Sequence, residues 1–163
     1  MTQKLVYQNG ETIRFRFFHD GPTASLVIAP FADDDEERES FFAAVCPLFL
    51  AGHTDTKELC IELIVHRHDT DEDVTYTLTE ALDRLGPAMW LPFCVVVAAA
   101  AHAMLNTLKL SSFHLYVAAY GHDSQLNTML GVVRDRLHED YSIYKVDTFA
   151  GSTLWVGERK TED

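Results

Sequence analysis

The sequence predicts an α/β (or α+β) domain with a mixed sheet of about six or seven strands, opened by an antiparallel β-meander and closed by a β-α-β-β unit. Three observations lead there. Asn9-Gly10 sits between two extended runs, residues 87–105 contain no Asp, Glu, Lys or Arg, and residues 126–137 carry a regular helical repeat.

Asn and Gly both accept positive φ, so residues 5–7 and 12–18 read as a hairpin. Ile13, Phe15 and Phe17 alternate with Thr12, Arg14 and Arg16, which buries one face and leaves two arginines on the other. Gly21-Pro22 turns the chain into residues 25–29, an uninterrupted apolar run typical of a central strand. The acidic run of Asp33, Asp34, Asp35, Glu36, Glu37 and Glu39 then precedes Phe41, Phe42, Val45 and Cys46 at helical spacing. Carboxylates favour a first helical turn, so a first helix is expected here, ending near Pro47. Residues 59–65 form a fourth strand. Asp69, Asp71, Glu72 and Asp73 follow, leading either into a helix or through a hairpin into a return strand over 74–78, and the β-branched residues leave both open.

Thr79 is the expected N-cap of a short helix over 80–85, interrupted by Gly86-Pro87. Residues 87–105 read as a long buried helix. Their length approaches a membrane span, but Pro92, His102, the four alanines 98–101 and the lack of flanking basic clusters favour a domain core. His102 is expected as a core histidine bonded to a backbone carbonyl. A strand over 112–120 leads to a helix with Leu126, Met129, Leu130, Val133 and Leu137 on one face, Asp123 or Ser124 as its cap, and Arg134, Arg136 and His138 near its end. Residues 141–148 and 153–156 close the chain as a hairpin. Residues 1–160 are then one domain and 161–163 a frayed tail.

Of the 163 residues, 25 are acidic and 13 basic, a formal charge of −12 that repels nucleic-acid phosphates and anionic membranes. Neither is an expected partner; a homo-oligomer is compatible with the composition. Cys46, Cys60 and Cys94 lie far apart among apolar residues, the pattern of buried free thiols in a reducing compartment. The first ten residues break their apolar run too soon for a signal peptide, so the expected location is cytoplasmic.

If three successive strands run parallel, residues 30–35, 66–73 and 121–124 lie together along one sheet edge, where open α/β sheets bind ligands. His66 and His68 would share a face there. With Asp69 and Asp123, or with Asp33, they make a candidate hydrated divalent-metal site. Asp33, Asp34, Asp35, Glu36, Asp71, Glu72 and Asp73 are the candidate partner-binding residues, a negative face for a basic protein. The chain has no Gly-x-Ser-x-Gly elbow, P-loop or dinucleotide glycine pattern, so no catalytic residue and no cofactor is expected.

The strand, helix and hairpin from Phe113 to Glu158, after a long helix, resemble the closing half of an N-acetyltransferase domain. That family's pyrophosphate-binding Arg/Gln-x-x-Gly-x-Gly/Ala turn is replaced here by Arg84-Leu85-Gly86-Pro87-Ala88, where proline removes an amide. Phe113-His114-Leu115-Tyr116-Val117-Ala118 through Tyr144-Lys145-Val146-Asp147 is also similar to the opening strand–helix–strand of thioredoxin-like clock proteins, over about a fifth of the chain. The expected function is a non-catalytic, acidic protein-binding module: an adaptor, assembly subunit or inhibitor/immunity-type protein. The alternative is a small enzyme, either a degenerate acyltransferase or a divalent-metal-dependent hydrolase.

Overall fold

The computed structural model describes residues 2–6, 12–20, 24–49, 56–117, 123–147 and 153–161. Its elements are β1 (Thr2–Val6), β2 (Thr12–Asp20), β3 (Ala24–Asp34), β4 (Glu39–Phe49), β5 (Thr56–Arg67), β6 (Glu72–Thr77), α1 (Leu78–Arg84), α2 (Pro87–Leu108), β7 (Ser112–Val117), α3 (Asp123–Leu137), β8 (Tyr141–Asp147) and β9 (Thr153–Arg159). The fold is mixed α and β, with the antiparallel opening meander, long helix and closing β-α-β-β unit that the sequence predicts.

Among the described residues nine strands form one sheet in the order β1-β2-β3-β4-β5-β7-β9-β8, with β6 also paired to β5. The β5–β7 pair is parallel, and every other pair is antiparallel. One edge of β5 is divided. Its first residues, Thr56 to Glu58, pair with β7, and the later stretch from Glu62 to Arg67 pairs with β6.

The expected first helix is not formed. The acidic run instead turns β3 into β4, and Phe41, Ala43 and Val45 enter the core while Phe42 and Cys46 stay half-buried on the opposite face. The reason is position: β4 lies between β3 and β5, so apolar residues occupy both of its faces and the period of two is lost from the letters. Pro47 is tolerated because the β3 pairing stops at Val45 and no ladder bond to β3 is lost. The return strand over 74–78 is the alternative realised, as β6. Its last residue, Thr77, rather than Thr79, caps α1: the Thr77 hydroxyl oxygen accepts the Glu80 amide at 3.2 Å.

Gly86-Pro87 starts α2, with Gly86 as N-cap and proline at the first position, where its missing N–H costs nothing. Phe93, Cys94, Val97 and the four alanines 98–101 are buried, and the helix packs on β3, β4 and α3. The small alanines let it lie close to Ala29 and Ala43 of the sheet, both buried in the same core. Among the described residues α2 is the one helix long and apolar enough to cross a membrane, yet most of it is covered by protein, the packing of a core helix. In α3, Leu126, Met129, Leu130, Val133 and Leu137 are all buried, as their spacing requires.

The crossovers β5-α2-β7 and β7-α3-β8 step in the same direction, and right-handed crossovers then place α2 and α3 on the same face of the sheet. The other face keeps half-buried Leu26, Ile28, Phe42 and Ile64, and exposed Tyr116 and Tyr144.

The lower end of the core is tied together by Tyr141. Its ring meets Phe113 edge-on at 5.5 Å, its hydroxyl donates to Leu110 O at 2.6 Å, and Arg159 donates to the same hydroxyl at 2.9 Å. Tyr141→Phe orphans the Leu110 carbonyl from that donor and is expected to lower stability by ~1–3 kcal/mol, read from urea unfolding. His102 departs from the expected carbonyl bond. Its Nδ1 accepts from Arg136 at 3.1 Å, which leaves the proton on Nε2 to face Asp140 at 3.3 Å.

Candidate functional site

β3 and β5 run the same way because β4 lies antiparallel between them, and β7 is parallel to β5. Their carboxyl ends therefore share one end of the sheet, but the expected three successive parallel strands are not formed: β4 separates β3 from β5, and among the described residues only the β5–β7 pair is parallel. Two acidic runs some thirty residues apart in sequence meet there. His68 N–H donates to Arg38 O at 2.9 Å, joining the β3–β4 turn to the β5–β6 turn.

Each turn is shaped by its own polar groups. Asp34 Oδ1 accepts the amides of Glu36 at 3.1 Å and Glu37 at 3.2 Å, and Arg38 closes the turn in the left-handed region at φ 53°. In the second turn Asp69 Oδ1 accepts the Thr70 amide at 2.9 Å, and Asp71 has φ 54°. Asp33 and Asp73 are also engaged. Ser40 donates to Asp33 Oδ1 at 2.7 Å and contacts His68 Nε2 at 2.7 Å, while His66 Nδ1 lies 2.7 Å from Asp73 Oδ1 and His66 Nε2 lies 3.5 Å from Asp71. Asp35, Glu36, Glu37 and Glu72 project into solvent.

Glu39 differs from the rest of its run. It is only 15% exposed, and its two carboxylate oxygens face Arg67 at 3.8 Å and Arg84 at 3.7 Å. This pairing fastens α1 to the sheet end and engages two of the three arginines there; Arg84 also stacks over Tyr76 at 4.7 Å. Glu39→Gln keeps the shape but removes the charge shared by both arginines. Since both guanidiniums are partly solvated, the expected loss is about 1 kcal/mol, measured by denaturant unfolding.

The charge balance at this end is decisive. Ten carboxylates (Asp33, Asp34, Asp35, Glu36, Glu37, Glu39, Asp69, Asp71, Glu72 and Asp73) stand against three guanidiniums, Arg38, Arg67 and Arg84, a net −7 within the chain's −12. Over half the net charge therefore occupies two adjacent turns.

The expected metal set is only partly brought together. His66 and His68 do meet, with ring centroids 5.1 Å apart, but Asp69 turns to its own loop amide and Asp123 opens α3, its side chain outside the described residues. Among the described residues no group of three or more His, Cys, Asp or Glu side chains is placed to hold a metal ion. The nearest oxygens to the two imidazoles are those of Asp73, Asp71 and Ser40.

One arrangement that sequence reasoning missed concerns the cysteines. Cys94 is buried as expected, and burial pushes its thiol up to about 12. Cys46 and Cys60 are half-buried rather than buried, and they stand directly opposite each other on β4 and β5. The hydrogen bond from Cys60 holds the Cys46 thiol below its ordinary range, against the opposing effects of burial and Glu62; the same bond, with burial, pushes Cys60 up. Reading residues 39–49 as a strand would have exposed this register.

No protein-family model, curated protein or solved structure matches the chain.

Proposed function

We propose that the protein is a non-catalytic binding module, of the adaptor, assembly-subunit or inhibitor/immunity type, that captures a basic protein partner in the cytoplasm through the turns at residues 33–39 and 69–73. The observation carrying this reading is the convergence of the two acidic runs at one sheet end with a local charge of −7, two of its three arginines, Arg67 and Arg84, facing Glu39. A single-sign surface of this kind steers an oppositely charged protein and accelerates encounter, an effect that salt screens within about 8–10 Å. The hairpins hold Asp35, Glu36, Glu37, Asp71 and Glu72 outward while Asp33, Asp34 and Asp73 bond within the turns and their flanking strands.

The enzyme alternatives have less support. β6 takes the edge of β5 beyond its pairing with β7, the place where a ligand would enter between the carboxyl ends of the parallel strands. Pro87 removes an amide at the start of α2, the helix that would receive a pyrophosphate in an acyltransferase-like site. For a hydrolase, His66 and His68 lack a third donor among the described residues.

Pull-down with the full chain from native lysate tests the proposal. A basic protein recovered at low salt and released at moderate salt is the expected result. Recovery of no salt-sensitive partner would overturn it.

A further inference from the structure

We propose that Cys46 and Cys60 form a peroxide-responsive dithiol that closes to a cross-strand disulfide between β4 and β5, with Glu62 as the proton acceptor. The register pairs the two residues directly. Opposed residues in an antiparallel ladder have Cα atoms about 4.5–5.5 Å apart. That lies within the roughly 4.4–6.8 Å span of disulfides, so closure requires side-chain rotation and no movement of the strands. Both thiols are free and half-buried, on the face of the sheet that carries no helix among the described residues, so a small oxidant reaches them; Cys94, buried in α2, is shielded. The proton of Cys60 has two acceptors, the Cys46 sulfur and Glu62 Oε1 at 3.7 Å.

The chemistry balances with one hydroperoxide. The Cys46 thiolate attacks a peroxide oxygen; the S–O bond forms, the O–O bond breaks, and the departing oxygen takes the proton released by the Cys46 thiol. Cys46 is then a sulfenic acid. Cys60 passes its proton to Glu62 and attacks the Cys46 sulfur, forming S–S as S–O breaks, and the departing hydroxide takes that proton from Glu62. Two thiols supply two electrons; with hydrogen peroxide the products are one disulfide and two waters. A dithiol reductant reverses the change.

Glu62 is suited to this role by position. It is two residues from Cys60 on the same face of β5, half-buried, and the described cation nearest on that row is not adjacent to it: Ala44 and Thr77 are its strand neighbours. The bridge would lock β4 to β5 below the acidic turns and leave those turns free for a partner.

The test is to treat the folded full chain with hydrogen peroxide and map it without reduction. The expected product has lost two hydrogen masses, and its denatured thiol count falls from three to one. Trypsin should release peptide 39–57 joined to peptide 58–67, with peptide 85–109 carrying a free Cys94. In Cys60→Ser, Cys46 should stop at the sulfenic acid and be trapped by dimedone. In Glu62→Gln, closure should slow by ~10-fold or more while the sulfenic acid accumulates. Oxygen adducts without the linked peptides, three thiols surviving, or linkage through Cys94 would each overturn the proposal. The wild-type peptide map alone decides this if a variant fails to fold.

Discussion

Neutralising Asp35, Glu36, Glu37 and Glu72 to their amides is expected to slow association with the captured partner by about 10–100-fold at low salt, while stability stays within about 0.5 kcal/mol of the parent. The four side chains are exposed and shape neither turn. Their removal takes the local balance from −7 to −3 without disturbing Asp34, which organises the first turn, or Asp73, which meets His66. The matching control changes the same number of charges at the opposite end of the sheet: Glu58, Asp135, Glu139 and Glu158 to amides. That protein has the same net charge, so a general preference for acidic chains predicts equal losses. Stopped-flow association rates over a salt series separate the two. The turn variant should also show a shallower salt dependence, because fewer charges contribute to steering.

Gly157→Ala is expected to produce the largest loss of stability, about 2–3 kcal/mol and a fall in Tm of roughly 4–12 °C. Gly157 lies opposite Phe113 on β7 and opposite Ile143 on β8. A Cβ built there runs into the Phe113 ring, which lies over the glycine. That ring has no room to retreat, since it is buried and meets Tyr141 edge-on. The glycine is thus required by close approach rather than by backbone conformation. Combining Gly157→Ala with Phe113→Leu should cost less than the sum of the single changes, because the smaller side chain vacates the space the methyl needs. Additive losses in calorimetry would contradict this packing account.

These two sites differ in how far the letters alone reveal them. The helix over residues 123–137 was plain because its five apolar positions follow one period and only one face is buried. The long helix was plain by composition. The strand over residues 39–49 was not, because apolar residues on both faces, Phe42, Ala44 and Cys46 opposite Phe41, Ala43 and Val45, hide its alternation behind an acidic run that resembles a helix start. Three features depend on that strand: the meeting of the two acidic turns, the Glu39 clamp on Arg67 and Arg84, and the Cys46–Cys60 pair. Each depends on the register between strands, which no local pattern encodes. The individual carboxylates of the candidate surface were legible one by one, whereas their convergence needed β4 in place. Gly157 gave no signal at all, since its role is set by an aromatic ring more than forty residues earlier.

The most direct measurement is carboxyl-labelling footprinting of the free protein against its complex with the recovered partner. Asp35, Glu36, Glu37 and Glu72 should lose reactivity in the complex, while Glu62 and Glu158, on the helix-free face of the sheet, keep theirs. Protection of Glu62 and Glu158 with the turn carboxylates still fully labelled would place the partner on that face and contradict capture by the acidic turns.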